Sequence, residues 1–504
     1  MPYVLDPHES RYLLNIFYLS KHFLNPGTVS VPSFFLYLNT VIVFFVQGTL
    51  NINHLLNNLE VNPASFYLPL RLLSVLFGIG TVIVVYFIGN VFGSLTGILA
   101  GGFLAVSFLH VKFSQIFLPF GGMVFFSLLS TFFALKALSS KGSTYLVLSI
   151  IFSSLGTGMH YIGFVSIIPI FFVLALNKET YSSKHLRFLF LLFFLSFFLT
   201  NPYFFFFLFR FILFLVRTYV KSYYYHHSGS YLLYLNFLIS SVGPVVWVCA
   251  SGLLKYKKDY NSDYLKVLFS LPFLYLGILG VFHATSPGYA MLLVPYFCLA
   301  ASLVLNSMYS EQAQSNNTEK QFILLILILF AFYIPLKYTL KYNKLIDLSD
   351  TRVLATEWIK KNTTSDFRIA YDKNSIQFSP LDAYRKSDLK SLTSDFEVLL
   401  DKQKFSISYK LLKKKNWLKI LRKKVDYIVI NSFDFERALR EPKDSPEKKY
   451  YKQILKLKPT ITFNPYLLEK EKQVRFYLLE ELYSPFETLW QRERAGPLIK
   501  IYKL

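Results

Sequence analysis

The chain has 504 residues, of which 53% are hydrophobic, 18% aromatic and only 16% charged; with a mean hydropathy of +0.40, this composition excludes an ordinary soluble globule. Its two cysteines, Cys249 and Cys298, both lie in apolar runs, which excludes a disulfide framework or a thiolate metal site. The formal charge of +23 is unevenly spread, with 18 Lys+Arg against 8 Asp+Glu as far as Leu340 and 35 against 22 beyond it; because no aromatic-basic interleaving accompanies it, no nucleic-acid partner is expected.

In chain order, Asp6, His8, Glu9 and Arg11 follow Met1 almost at once, with no secretory signal before them. Asp6 and Glu9 are three residues apart, so at the start of a helix they share a face, with His8 between them. Such a carboxylate pair beside a membrane serves as a general base, holds a divalent cation, or caps the helix that runs through Arg11, Leu13, Ile16 and Phe17. Val31 to Leu50 is uncharged and either spans the bilayer or lies along its interface.

Ten further runs approach the roughly 20 apolar residues that a span requires: 66–89, 92–111, 116–136, 144–159, 160–177, 186–202, 232–254, 264–283, 289–307 and 321–338. Gly156, Gly158 and His160 separate the fourth from the fifth, and His160 is expected to be hydrogen-bonded inside the bundle rather than to act as a ligand. Placing the loop of Lys141 in the cytoplasm puts ten basic loop residues inside and six outside: Arg71, Lys112, Arg210, Arg217, Lys221 and Lys337. The segment from Lys341 then lies outside. Residues 1–65 lie there too unless Val31 to Leu50 spans, and a leading helix upstream of Met1 is expected to deliver them.

Beyond Lys341 the pattern changes to that of a small soluble α/β domain. Asp350 caps a helix through Trp358 and Lys361, while Arg368–Tyr371, Val425–Ile430 and Pro497–Tyr502 read as strands. The expected fold is an α-helical polytopic membrane protein with ten or eleven transmembrane helices and this α/β domain at its end. Its three parts are residues 1–65 as an outer loop with the acidic motif and interfacial helices, 66–340 as the transmembrane bundle, and 341–504 as the extracytoplasmic domain.

The segment Pro2 to Leu38, with DPHES and LNPGTVSVPSFFLYL, resembles the first outer loop of the GT-C glycosyltransferases of the protein-O-mannosyltransferase and aminoarabinose-transferase type. The resemblance continues through Leu68 to Gln115, TGMHYIGFVSIIPI, LTNPYF, DTRVLATEWIKKN, VDYIVINS and SPFETLWQRERAGPLIKIYKL, and so spans nearly the whole chain. It implies transfer of a sugar from a polyprenyl-phosphate carrier to a hydroxyl acceptor on the outer face of the inner membrane. It also implies a carboxylate that takes the acceptor proton, and basic groups or a divalent cation that stabilise the departing phosphate. By position, Glu9 matches the second acid of the family's Asp-Glu pair, His8 the first, and Asp6 the family's His. Asp6, Glu9 and His8 are therefore the candidate catalytic residues, with Asp6 and Glu9 as candidate metal ligands. Arg71, Lys112, Arg217 and Lys221 are the candidate lipid-phosphate contacts.

Beyond the exchange of Asp6 and His8, two further places depart from the family's pattern: in SQIFLPFGG, where the family commonly shows Ser-His and then an acid, Phe120 stands near the expected acid, and Gly288 precedes Tyr289 where the family often has Arg. An inactive homologue serving as a lipid-binding or scaffold protein is accordingly the alternative. A transporter is disfavoured because the helix centres hold Gly and Ser but no carboxylate.

Overall fold

In hydrocarbon every backbone N–H and C=O must find its partner within the protein, and helices do so inside one segment. The computed structural model describes residues 7–22, 25–140, 143–181, 183–225, 230–281, 287–314, 318–363, 368–372, 374–376, 378, 404–406, 425–440, 445–467 and 488–504. Its internal packing divides into two units, a helical bundle of Tyr18–Gly48 with Leu68–Thr339, and a second unit of Met1–Phe17, Thr49–Tyr67 and Leu340–Leu504.

The helices in order are α1 Pro7–Lys21, α2 Ser33–Gln47, α3 Ile52–Val61, α4 Ala64–Asn90, α5 Ser94–Val106, α6 Phe108–Ser114, α7 Phe120–Ser140 and α8 Ser143–Met159. A 3-10 turn, Tyr161–Ile167, leads into α9 Ile168–Leu176, followed by α10 Ser183–Thr200, α11 Leu208–Tyr225, α12 Ser230–Ser251 and α13 Leu253–Tyr256. The bundle ends with α14 Ser262–Val281, α15 Pro287–Ala290, α16 Val294–Gln314 and α17 Thr318–Asp347. Each of the ten apolar runs thus contains a helix. Among the described residues six helical segments are long and apolar enough to cross a membrane, and nine if each bent pair counts as one span. The chain is a multi-pass membrane protein.

The bent pairs are α2/α3, at 74°, α5/α6, at 63°, and α10/α11, at 85°. At 1.5 Å per residue the 15-residue α2 is about 22 Å long, shorter than the ~30 Å hydrocarbon core. It stops at Gly48, whose φ of +69° suits a glycine and whose N–H donates to the Phe44 carbonyl. The α5/α6 bend falls at Ser107, which has extended backbone angles. There the hydroxyls of Ser107 and Ser241 lie 2.7 Å apart, and the Leu109 N–H donates to Ser241 Oγ at 3.2 Å. α12 carries a break of its own two residues later, at Gly243 (φ +82°) before Pro244.

In the second unit, Asp350 caps α18 Thr351–Asn362 by accepting from the Arg352 N–H at 2.8 Å, and the Arg352 guanidinium grips the same carboxylate twice at 2.8 Å. A five-stranded sheet follows, formed by β1 Ile369–Tyr371, β2 Lys404–Ser406, β3 Tyr427–Asn431, β4 Ile461–Phe463 and β5 Ile499–Lys503, in the order β2-β1-β3-β5-β4. β1 is parallel to β2 and β3, while β5 is antiparallel to β3 and β4. Alternation at period two sends Ala370, Ile428, Ile430 and Tyr502 to one face, against α19 Ser432–Arg440 and α20 Pro446–Ile454. Ile369, Val429, Ile499 and Ile501 pack on the other face with Ala355 and Ile359 of α18. The expected cap at Asp350 and the three expected strands are all present.

Candidate functional site

α1 places Glu9 in its first turn, where the helix dipole favours a carboxylate. Glu9, Leu13, Ile16 and Phe17 follow helical spacing and form the buried face; Glu9 is 0% exposed. His8, one position earlier, is exposed on another face with its ring 6.3 Å from Tyr12. Asp6 lies outside the described residues. The described part of the acidic motif presents one buried carboxylate, Glu9, and one surface imidazole, His8.

Lys112 lies on the short helix α6, which the bend at Ser107 turns away from α5. It is only 5% exposed, and its ammonium lies 5.9 Å from the centroid of the Phe113 ring. That distance is within the range of a cation–π contact. Phe113 meets Phe120 at 5.5 Å, and Phe120 meets His160 at 5.1 Å and Tyr289 at 5.9 Å. His160 and Tyr289 close the cluster at 6.0 Å. His160 caps the 3-10 turn, its Nδ1 accepting from the Ile162 N–H at 3.3 Å, as expected of a histidine held inside the bundle. Tyr289 is anchored through its carbonyl, which accepts from the Tyr275 hydroxyl at 3.1 Å.

The two departures from the family's pattern meet in this cluster. A Cβ on Gly288 would stand 2.4 Å from the Phe120 ring, and that ring is hemmed in by Phe113, His160 and Tyr289. Phe120 occupies the space that a side chain at 288 needs. Phe120 and Gly288 are therefore coupled by packing, which their separate positions in the sequence do not reveal.

Arg71 is half-buried on α4, and Arg217 is exposed on α11. In sequence along α11, Lys221 follows Arg217 by four residues and Arg210 precedes Arg217 by seven. The Arg210 guanidinium is 5.0 Å from the centroid of the Phe207 ring. Arg71, Lys112, Arg217 and Lys221 belong to the bundle, whereas His8 and Glu9 belong to the second unit. Among the described residues no group of three or more His, Cys, Asp or Glu side chains converges on a metal site. Glu9, the described member of the expected Asp6 and Glu9 ligand pair, supplies fewer than the six or so oxygens that a hard divalent cation takes.

Asn201 of the LTNPYF motif is a residue whose role the sequence left open. It is 1% exposed, and its Oδ1 accepts from the Phe34 N–H at 3.1 Å while its amide donates to the Phe197 carbonyl. It thereby ties the start of α2 to the end of α10.

Comparison with known proteins gives one family match: residues 65–206 match the model described as Dolichyl-phosphate-mannose-protein mannosyltransferase. This segment includes Arg71, Lys112, Phe120, His160 and Asn201. No curated protein matches the chain. Among solved structures, apo ArnT from Cupriavidus metallidurans is similar at 12% identity, covering 87% of this chain and 90% of that one, with a TM-score of 0.48. ArnT bound to undecaprenyl phosphate is similar at the same identity and TM-score, covering 86% and 90%. An Archaeoglobus fulgidus oligosaccharyltransferase is similar at 11% identity, covering 89% and 68%, with a TM-score of 0.48. The similarity to protein mannosyltransferases is that of the family model and holds over residues 65–206.

Proposed function

We propose that this membrane protein is a glycosyltransferase that moves a sugar from a polyprenyl-phosphate carrier to a hydroxyl acceptor on the outer face of the inner membrane, with its α/β domain on that same side. The observation that carries the reading is the family match over residues 65–206, a segment that holds Lys112, a cation buried at the bend of a broken helix.

In this reaction the acceptor hydroxyl attacks the anomeric carbon, the bond from that carbon to the phosphate oxygen breaks, and the acceptor proton must be removed. Glu9 takes the proton as general base, by its match in position to the second acid of the family's pair. Lys112, with Arg71, stabilises the negative charge that builds on the departing phosphate. Arg217 and Lys221, four residues apart on a helix bent 85° from its predecessor, hold the carrier's phosphate at the bilayer surface. Asp6 is the other candidate acid of the motif.

Incubating membranes that contain the protein with labelled polyprenyl-phosphate sugars tests this reading. Label transferred to an acceptor or released to water supports it. The packing of Phe120 against Gly288 favours a second reading, a lipid-binding homologue that has lost the chemistry. Saturable binding of the labelled lipid without any transfer or release would select that reading.

A further inference from the structure

The 18-residue α10 is about 27 Å long, close to the thickness of the hydrocarbon core. α11 leaves it at 85°, and an axis turned that far from a crossing helix runs along the membrane surface. The corner is made by the 3-10 turn Phe205–Phe207 and by Asn201, whose N–H donates to the Phe197 carbonyl at 2.8 Å. Along α11, Phe209, Ile212, Leu213 and Val216 recur at helical spacing and are all exposed, Phe209 at 72% and Val216 at 54%. Arg210 and Arg217, seven residues or almost two turns apart, share another side and are exposed as well. At 3.6 residues per turn that side lies roughly 100° round the helix from the apolar one. Phe211 takes a third direction, with its ring 4.6 Å from Tyr161 and 5.1 Å from Phe204, and so fastens α11 to the bundle.

The charge has no local answer. The sequence holds no Asp or Glu between Glu179 and Asp259. Among the described residues neither arginine has an ion pair, and the Arg210 guanidinium lies over the Phe207 ring at 5.0 Å. An acidic peptide would meet the arginines and leave the apolar side in water, whereas a zwitterionic lipid surface would cover the apolar side and leave the charge unmatched. We propose that α11 docks on anionic phospholipid, with Phe209, Ile212, Leu213 and Val216 at the acyl boundary and Arg210 and Arg217 on the headgroup phosphates. The long arginine stems let the guanidiniums reach the headgroups while the helix stays low, and the planar fork matches a phosphate. This goes beyond the role given to Arg217 in the proposed reaction: ordinary phospholipid seats the helix, and the carrier reaches Arg217 by replacing one such lipid. The docking itself needs no transferase activity.

The test titrates the full-length protein in neutral detergent with dioctanoyl phosphatidylglycerol and dioctanoyl phosphatidylcholine, with bound lipid read by native mass spectrometry. Phosphatidylglycerol should bind more tightly, and added salt should shrink the difference. Arg210→Gln with Arg217→Gln should lower the preference about fivefold per arginine, whereas Arg210→Lys with Arg217→Lys, which keeps the charge, should retain it. Melting curves check folding, and if the Gln pair unfolds, Arg210→Gln alone should lose about fivefold. Equal binding of the two lipids by the unaltered protein, a preference that survives in the Gln pair, or one lost in the Lys pair overturns the proposal. A Gln pair that loses polyprenyl phosphate but keeps the phosphatidylglycerol preference assigns the arginines to the carrier alone and overturns it too. Loss of the preference in the Gln pair, with no turnover of labelled donor by the unaltered protein, sinks the transferase reading and leaves the docking in place.

Discussion

In the sheet domain Asp350 is met by Arg352, Asp434 by Asn431 and Arg437, and Asp372 by Tyr451 and the Asn431 N–H; Arg492 donates to Thr488, Gly496 and Tyr466. Of these charged side chains Asp350, Arg352, Asp372, Asp434 and Arg492 are buried, and each is held by groups of its own domain. In the described bundle the buried polar side chains are hydroxyls, asparagines and a histidine, with one charged exception, Lys112. A domain in water can neutralise buried charge by pairing it, and the result is rigidity. A bundle in lipid has little reason to bury an ammonium at all, since the desolvation penalty is several kcal/mol, and a charge retained there marks function.

This contrast predicts that removing charge from the two regions fails in different ways. The largest effect is expected from Glu9→Gln, which should lower sugar transfer from labelled polyprenyl-phosphate donor about 10²–10⁴-fold, the worth of a general base, while expression stays intact. Unchanged turnover would remove α1 from the chemistry. Arg352→Met should show the opposite pattern. It leaves the Asp350 carboxylate buried without its guanidinium and costs about 3–5 kcal/mol of stability by thermal unfolding in detergent, with kcat of the surviving fraction unaltered. Next, Lys112→Met should lower kcat/KM for the lipid donor about 10²-fold with little change in melting temperature. If it unfolds the protein instead, the division between functional and structural charge collapses.

Two smaller effects sharpen the picture. Gly288→Ala should destabilise by about 1–3 kcal/mol, because its Cβ is driven into a ring that has nowhere to move. Phe120→Ala in the same chain should return most of that loss, and simple additivity in the double variant would mean the two positions are not coupled. Last, burial raises the Asp372 carboxyl well above the usual carboxylate range, with the neighbouring Asp434 adding to the shift. The carboxyl therefore favours the folded state below the unfolded carboxylate pKa, and this contribution is lost as pH rises towards the folded value. Asp434, itself raised by burial, and the opposing Arg437 face the same cluster. Asp372→Asn should flatten the fall in melting temperature above about pH 4, and an unaltered slope would show that Asp372 does not titrate there.

The spanning segments were legible because about 20 apolar residues in a row leave one structural option, and Asp350 was legible as a cap because its carboxylate precedes a helical pattern. β2 and β4 were not, since three residues such as Lys404–Ser406 or Ile461–Phe463 are too short to display an alternation. The bend at Ser107 was hidden as well, because serine is ordinary in an apolar helix and the cause lies in Ser241, 134 residues away. The burial of Glu9 was not read from the sequence, although Glu9, Leu13, Ile16 and Phe17 share helical spacing, and the exposure of His8 shows that neighbours in a motif need not act together. The packing of Phe120 on Gly288 requires three-dimensional proximity, and no local pattern encodes it.

The Ser241 hydroxyl also bears on how the protein is made. The Leu109 N–H that it accepts is separated from it by 132 residues, so when α5 and α6 emerge from the ribosome their junction has no partner. At roughly 5–20 residues per second, the wait for α12 is on the order of 10 s. During that interval the bent segment either stays near water, is sheltered by an insertion factor, or enters the lipid as a straight helix that bends only when α12 arrives. Assembly order is thereby linked to a single serine, and a chain stalled before residue 241 lacks the acceptor that the Leu109 N–H uses in the folded bundle.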